Sequence, residues 1–183
     1  ALFLLQQITG QNAAKAAEVA GLSALFYWIT KSLFEVPVGF LLDKKKGEKD
    51  DFWFMVFGTF ITAITPVGFL FSTEPWHIYF FQVIHAIGMA MSLPSWLAIF
   101  TRHIDKGKEA FEWSTETTSI GIGAGIAGGI GGLLSSYFGF SAIFAIAAAL
   151  NVVSGICLIS IRKNVFIKRD GINAITDKPI IAP

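Results

Sequence analysis

Residues 35–51 read EVPVGFLLDKKKGEKDD and place a dense block of charge between two apolar runs of the chain. One run covers residues 22–42 and the other residues 52–72, and each is close to the ~20 residues that an α-helix needs to cross the hydrocarbon core of a bilayer. A charged segment between two such runs is typical of a short connection at a membrane surface. The sequence therefore predicts two transmembrane helices joined by a loop at residues 43–51.

The rest of the chain repeats this alternation of apolar spans and charged connections. Of the 183 residues, 54% are hydrophobic and 15% are charged, and residues 117–161 contain no Asp, Glu, Lys or Arg. This distribution predicts an all-α membrane protein, a six-helix transmembrane bundle whose first helix is truncated. The predicted spans are residues 1–9 (partial), 22–42, 52–72, 76–100, 116–137 and 140–161, and residues 166–183 are predicted to form a flexible tail.

The basic residues indicate how the helices are oriented. Twelve of the 14 Lys and Arg residues lie in residues 44–49, in residues 102–108 and in the segment from Arg162 onward. Basic residues accumulate in cytoplasmic connections of membrane proteins. We therefore expect the loops at 43–51 and 101–115 and the C-terminal tail to lie in the cytoplasm, in a protein of the plasma membrane. The partner implied is the lipid bilayer, and nucleic acid is not expected because the basic residues form no single patch.

The charged connection also carries a motif. Residues 39–47 read G-x-L-x-D-K-x-x-G, which resembles the G-x-L-x-D-R-x-G-R-R signature between the second and third helices of each half of major facilitator superfamily transporters. The interval from Asp43 to Gly47 is one residue longer than in that signature, and Glu48 stands where a second basic residue is common. The resemblance implies a latch that helps hold the cytoplasmic side closed, formed by Gly39, Asp43, Lys44 and Gly47.

This resemblance implies a function as well as a fold. Residues 1–165 would form one six-helix half of a secondary transporter, which moves a small solute by alternating access together with the missing other half of the polypeptide. We favour the C-terminal half because the chain stops soon after its last helix, although an N-terminal half cut in its central loop would look the same. The alternatives are a self-contained six-helix scaffold, a homodimeric transporter and a membrane-embedded enzyme. We expect no enzyme, because the sequence offers no nucleophile with a positioned base.

Two charged residues lie inside the second predicted helix. Lys31 and Glu35 are four residues apart, so they share one face of a helix and can pair. Ionisable residues within a membrane usually face protein or a wet cavity. The pair is therefore a candidate coupling site for solute or protons, with a purely structural ion pair as the alternative.

The fourth predicted helix carries a polar stripe, because Gln82, His85, Met89, Ser92 and Trp96 recur at steps of three and four residues. The resemblance implies that this helix lines the central substrate cavity. Gln82, His85, Ser92 and Trp96 are therefore candidate cavity residues. The alternative for His85 is a hydrogen-bonded packing residue.

The fifth predicted helix is rich in glycine. Gly121, Gly125 and Gly129 recur every four residues, a spacing that lets membrane helices approach closely, so we predict a helix-packing face. The segment at residues 132–140 resembles the turn between the fifth and sixth helices of the family. No metal site and no cofactor are expected, because Cys157 is the single cysteine and the histidines lack metal-ligand spacing. The substrate, and the choice among uniport, symport and antiport, stay open.

Overall fold

A computed structural model describes residues 3–45 and 47–176 of the chain, with side chains for residues 3–44 and 47–162. The regular structure in these residues is helical, as the sequence predicts. It comprises a π-helical turn at Leu4–Ile8 and four α-helices, which are α1 (Ala13–Lys45), α2 (Glu48–Leu70), α3 (Pro75–His103) and α4 (Glu109–Thr176). Each α-helix contains a stretch that is long and apolar enough to cross a membrane.

The helices extend further into the charged segments than predicted. α1 begins at Ala13 rather than at residue 22, because the alanine-rich residues 13–20 favour a helix. The predicted loop at 43–51 is mostly helical, since α1 continues through Lys45 and α2 begins at Glu48. The loop at 101–115 is similarly reduced to residues 104–108 between α3 and α4.

The two chain ends also differ from the prediction. The partial first helix is limited to a π-helical turn in the described residues, and it ends where Gly10 and Gln11 adopt positive φ angles of 58° and 66°. The segment predicted as a flexible tail is part of α4 over residues 166–176. Residues 177–183 lie outside the described residues.

The bundle has two distinguishable ends. We call the end with the α1–α2 and α3–α4 connections the basic end, and the end with the α2–α3 connection at residues 71–74 the far end. α3 packs against both α1 and α2, and α4 packs against α2. A far-end cluster of buried side chains comprises Phe3, Leu4, Ala16, Val19 and Ile78, and a basic-end cluster comprises Phe52, Met55 and Val56.

α4 has 68 residues but is not one straight helix, because Gly139 breaks it with φ 74° and ψ 176°. Trp113, before the break, packs against Phe100 near the end of α3. Leu158, after the break, packs on the basic-end cluster together with Ile99 of α3. A straight helix would separate residues 113 and 158 by roughly 70 Å. The chain therefore reverses at Gly139, which lies within the predicted turn.

The predicted count of six separate helices is not observed in the described residues. The predicted spans 116–137 and 140–161 lie in the two segments of α4, which join directly at the non-helical Gly139 without an intervening loop. The first segment of α4 (residues 109–138) contacts α3 only near the basic end and is exposed over most of its length. The second segment begins at Phe140, and its described side chains pack along α2, with the ring centroids of Phe144 and Phe69 5.6 Å apart.

Glycine permits a close contact between the backbones of α2 and α3. A Cβ atom on Gly58 would lie 2.5 Å from the carbonyl oxygen of Gly88, so neither position has room for a larger side chain. The predicted packing face at Gly121, Gly125 and Gly129 instead meets open space, with no described atom within 4 Å of where a Cβ atom would lie. Spacing along one helix shows which residues share a face, but not which helix lies opposite. The packing role of these three glycines therefore stays a proposal.

The outer surface of α1 is apolar. Leu33, Val36 and Phe40 are 66%, 74% and 62% exposed. Large exposed apolar surfaces are rare on soluble monomers, and a lipid environment removes the unfavourable contact with water. This surface agrees with a protein embedded in a bilayer.

Candidate functional site: a groove between the helices

A groove of about 1040 Å³ lies between α1, α2, α3 and the second segment of α4. Most of its wall is aromatic or aliphatic. Phe3 is one of the lining residues, and its ring centroid lies 4.8 Å from that of Phe144. We call it the central groove. Its polar side chains come from all four helices and are Ser23, Tyr27, Thr62, Thr65, Gln82, His85 and Asn151.

Some of these polar groups already have partners within the bundle. Asn151 donates a hydrogen bond from Nδ2 to the carbonyl of Ala147 at 2.9 Å, and Thr62 donates one to the carbonyl of Thr59 at 2.7 Å. Thr62 also lies 3.5 Å from Oδ1 of Asn151, which connects α2 to α4. These side chains therefore stabilise the helices as well as lining the groove.

Tyr27, Gln82 and His85 are different, because their polar groups make no hydrogen bond within the described residues. The rings of Tyr27 and His85 lie 5.5 Å apart across the α1–α3 contact. His85 is half-buried, and Gln82 lies about one turn before it on the same helix face. A polar group in an apolar groove gains by binding water or a solute. These three side chains therefore present polar groups to the groove that have no hydrogen-bond partner among the described residues.

Lys31 and Glu35 form the ion pair that their spacing allows. The distance from Nζ to Oε2 is 2.7 Å, and the side chain of Lys31 is only 9% exposed. Nζ also lies 5.4 Å from the centroid of the Trp28 ring, which lines the central groove. The pair is thus beside the groove, separated from it by Trp28.

The fourth predicted helix is α3. The residues of its polar stripe lie in three different environments. Gln82 and His85 line the central groove. Ser92 donates a hydrogen bond to the carbonyl of Gly88 at 3.0 Å and packs close to Gly58 of α2. Trp96 faces a second cavity near the basic end. The stripe is therefore not one cavity wall, because α3 has different neighbours along its length.

Comparison with known proteins identifies the family. Residues 1–175 match the family model of the Major Facilitator Superfamily. The chain belongs to the major facilitator superfamily. It is therefore a membrane transport protein, held in a lipid bilayer by apolar helices. No curated protein and no solved structure shows significant similarity to the chain.

The signature residues of this superfamily member lie at the basic end, away from the central groove. Gly39 has no neighbour within 4 Å of a Cβ position, and Gly47 adopts an extended conformation just before α2. Asp43 and Lys44 are exposed, with Nζ of Lys44 5.1 Å from the centroid of Phe40. The carboxylate of Asp43 makes no hydrogen bond or ion pair in the described part of the chain.

The sequence did not predict an ion pair that lies at the basic end of the transporter. Arg102, in the last turn of α3, donates from Nη2 to the carboxylate of Asp51, in the first turns of α2. Asp51 is 1% exposed, and its Oδ1 accepts no hydrogen bond among the described residues. The feature of the sequence that could have indicated this pair is the placement of opposite charges at the adjacent ends of α2 and α3, two antiparallel helices.

The described residues contain no group of three or more His, Cys, Asp or Glu side chains that could hold a metal ion. The polar groups of the central groove are one imidazole, two amides and several hydroxyl groups. Such groups can orient a solute by hydrogen bonds.

Proposed function

We propose that the chain is one half of a secondary transporter that moves a small solute by alternating access, with the central groove forming part of the solute path. The observation that carries this proposal is the set of three unsatisfied polar side chains, Tyr27, Gln82 and His85, in an otherwise apolar groove. Transporter sites of this kind lie between helices and near the bilayer midplane. The solute would contact the α1 and α3 walls.

The half-transporter assignment is supported by the path of α4. Its two segments run in opposite directions because the chain reverses at Gly139, so each can act as a separate span. Residues 1–165 then supply six spans, counting the turn at Leu4–Ile8 as the end of the first. The other half of the polypeptide would complete the solute path.

The orientation of the helices in the membrane is proposed from the positions of the Lys and Arg residues. The basic end would lie in the cytoplasm of a plasma-membrane protein, because most Lys and Arg residues lie there. Asp43 would then act in a cytoplasmic latch. Asp43 lies in the last turn of α1, where the helix dipole is unfavourable for negative charge, so a cationic group or a helix N-terminus of the other half is the expected partner. Asp43→Asn in the full-length protein should shift the balance of inward-open and outward-open states, and an unchanged balance with unchanged transport would exclude the latch.

Cysteine accessibility tests the solute path without requiring a known solute. In a Cys157→Ser background, His85→Cys and Gln82→Cys should react with a membrane-impermeant thiol reagent in intact membranes, because a solute path admits water. Val152→Cys is the matched control, since Val152 is 42% exposed on α4 but does not line the groove. It should react much more slowly.

The proposal fails if His85→Cys and Gln82→Cys are as unreactive as the Val152→Cys control.

Proton coupling can be examined by uptake into vesicles with and without a proton gradient. For a solute found in such an assay, His85→Asn should reduce uptake at least about tenfold if the imidazole binds the solute. His103→Asn is the control, because His103 is exposed at the basic end.

A further inference from the structure

A second cavity, of about 560 Å³, lies between the end of α3 and the start of α4. Three aromatic side chains form much of its wall, and Trp96 and Phe100 are stacked with their ring centroids 5.5 Å apart. Trp113 meets Phe100 edge to face at 4.8 Å and supports it from behind. We call this cavity the aromatic groove. Its lining comprises Trp96, Phe100, Phe111, Glu112, Thr115, Glu116, Ser119 and Ile120.

Two glutamates line the aromatic groove. Glu112 and Glu116 are half-buried and four residues apart, so they occupy the same face of α4, where like charges repel. Glu116 is held in place by Trp96, whose indole Nε1 donates to Oε1 at 3.3 Å. Glu112 accepts a hydrogen bond from the backbone of Asp105 at 3.2 Å. Both acids are therefore oriented by neutral donors, which do not cancel their charge.

The described lining of the aromatic groove contains no Lys or Arg. Two nearby basic side chains are paired with other carboxylates, since Arg102 pairs with Asp51 and Lys108 pairs with Asp105 at 3.1 Å. The groove thus combines two acidic side chains with aromatic ring faces and has no basic side chain in its described lining. Ring faces and carboxylates both attract cations, and the rings also bind apolar substituents.

We propose that the aromatic groove binds a lipophilic organic cation, with the charge between Glu112 and Glu116 and the apolar groups against Trp96, Phe100 and Phe111. A small hydrated metal ion fits less well, because the three aromatic rings offer no oxygen ligand and the described residues contain no group of three or more His, Cys, Asp or Glu side chains that could hold a metal ion. The bound cation relieves the repulsion between the two glutamates. This site is separate from the central groove and does not depend on the proposed solute path.

Equilibrium dialysis of the purified full chain in detergent, with radiolabelled tetraphenylphosphonium as the probe, tests the proposal. Tetraphenylborate is the matched probe, since it has nearly the same shape and the opposite charge. We expect saturable binding of tetraphenylphosphonium above the level of protein-free micelles, and none of tetraphenylborate. Glu116→Gln should weaken binding about tenfold or more, since it removes one charge from a partly desolvated site.

The control variant is Glu18→Gln, because Glu18 is exposed on α1 far from the aromatic groove. It should bind tetraphenylphosphonium like the parent chain. Glu112→Gln provides a second variant if Glu116→Gln alters the helical circular dichroism spectrum. The proposal is overturned if tetraphenylphosphonium does not bind saturably, if tetraphenylborate binds equally well, or if both glutamine variants bind the cation like the parent. Because this assay measures binding alone, its failure would leave the proposed transport function to its own test.

Discussion

Arg102 of α3 donates a hydrogen bond to Asp51 of α2, and this contact joins the ends of two antiparallel helices. Asp51 lies near the N-terminus of α2 and Arg102 near the C-terminus of α3, so each charge also complements the dipole of its own helix. Asp51 is 1% exposed whereas the side chain of Arg102 is 40% exposed. The carboxylate therefore depends on the guanidinium more than the reverse.

We expect Arg102→Ala to destabilise the chain by about 3 kcal/mol, because it leaves a buried carboxylate without its cation. Asp51→Asn should be less damaging, since it removes the buried charge as well as the pair. Thermal unfolding followed by circular dichroism in detergent would measure both variants. A melting temperature of Arg102→Ala equal to that of the parent chain would show that the pair contributes nothing.

The glycine contact between α2 and α3 gives a second prediction. Gly58→Ala should lower stability by about 1–3 kcal/mol, because the new methyl group would overlap the Gly88 carbonyl and the Ser92 side chain, each at 2.5 Å. Gly125→Ala is the matched control and should be neutral or slightly stabilising, since its methyl group would meet open space and alanine favours a helix. Denaturant titration of both variants would show the difference. Equal effects at the two positions would contradict the helix contact.

The Lys31–Glu35 ion pair gives a third prediction. Either Lys31→Met or Glu35→Gln alone should destabilise the chain more than the double substitution, because each single change leaves one charge uncompensated in the membrane. A double-mutant cycle on unfolding free energies measures the coupling. Additive effects would mean that the two side chains do not stabilise each other. If the double variant keeps its stability and loses transport, the pair acts in coupling.

The reversal of the chain at Gly139 gives a fourth prediction. Spin labels at positions 113 and 158, in a Cys157→Ser background, should be far closer than the roughly 70 Å of a straight helix. Gly139→Ala should destabilise this arrangement by about 1–3 kcal/mol, because its φ of 74° and ψ of 176° suit only glycine. Pulsed electron paramagnetic resonance measures the distance in each variant. A distance near that of a straight helix in the parent chain would exclude the reversal.

Much of the fold could be predicted from local pattern. Apolar runs of bilayer length predicted the helices, because the hydrophobic thickness of a membrane fixes the length of a span. The Lys31–Glu35 pair was predictable for a similar reason, since residues four apart always meet on a helix. The motif at residues 39–47 indicated the family that the comparison then established.

The tertiary structure decided which helices meet. It divided the α3 stripe between two grooves and a helix contact, and it assigned a close backbone approach to Gly58 and Gly88 rather than to the glycines of α4. It also brought Asp51 to Arg102 across residues far apart in the chain. Helical periodicity specifies the faces of each helix, but the neighbour of a face depends on how all the helices pack together, and the sequence alone does not specify that arrangement.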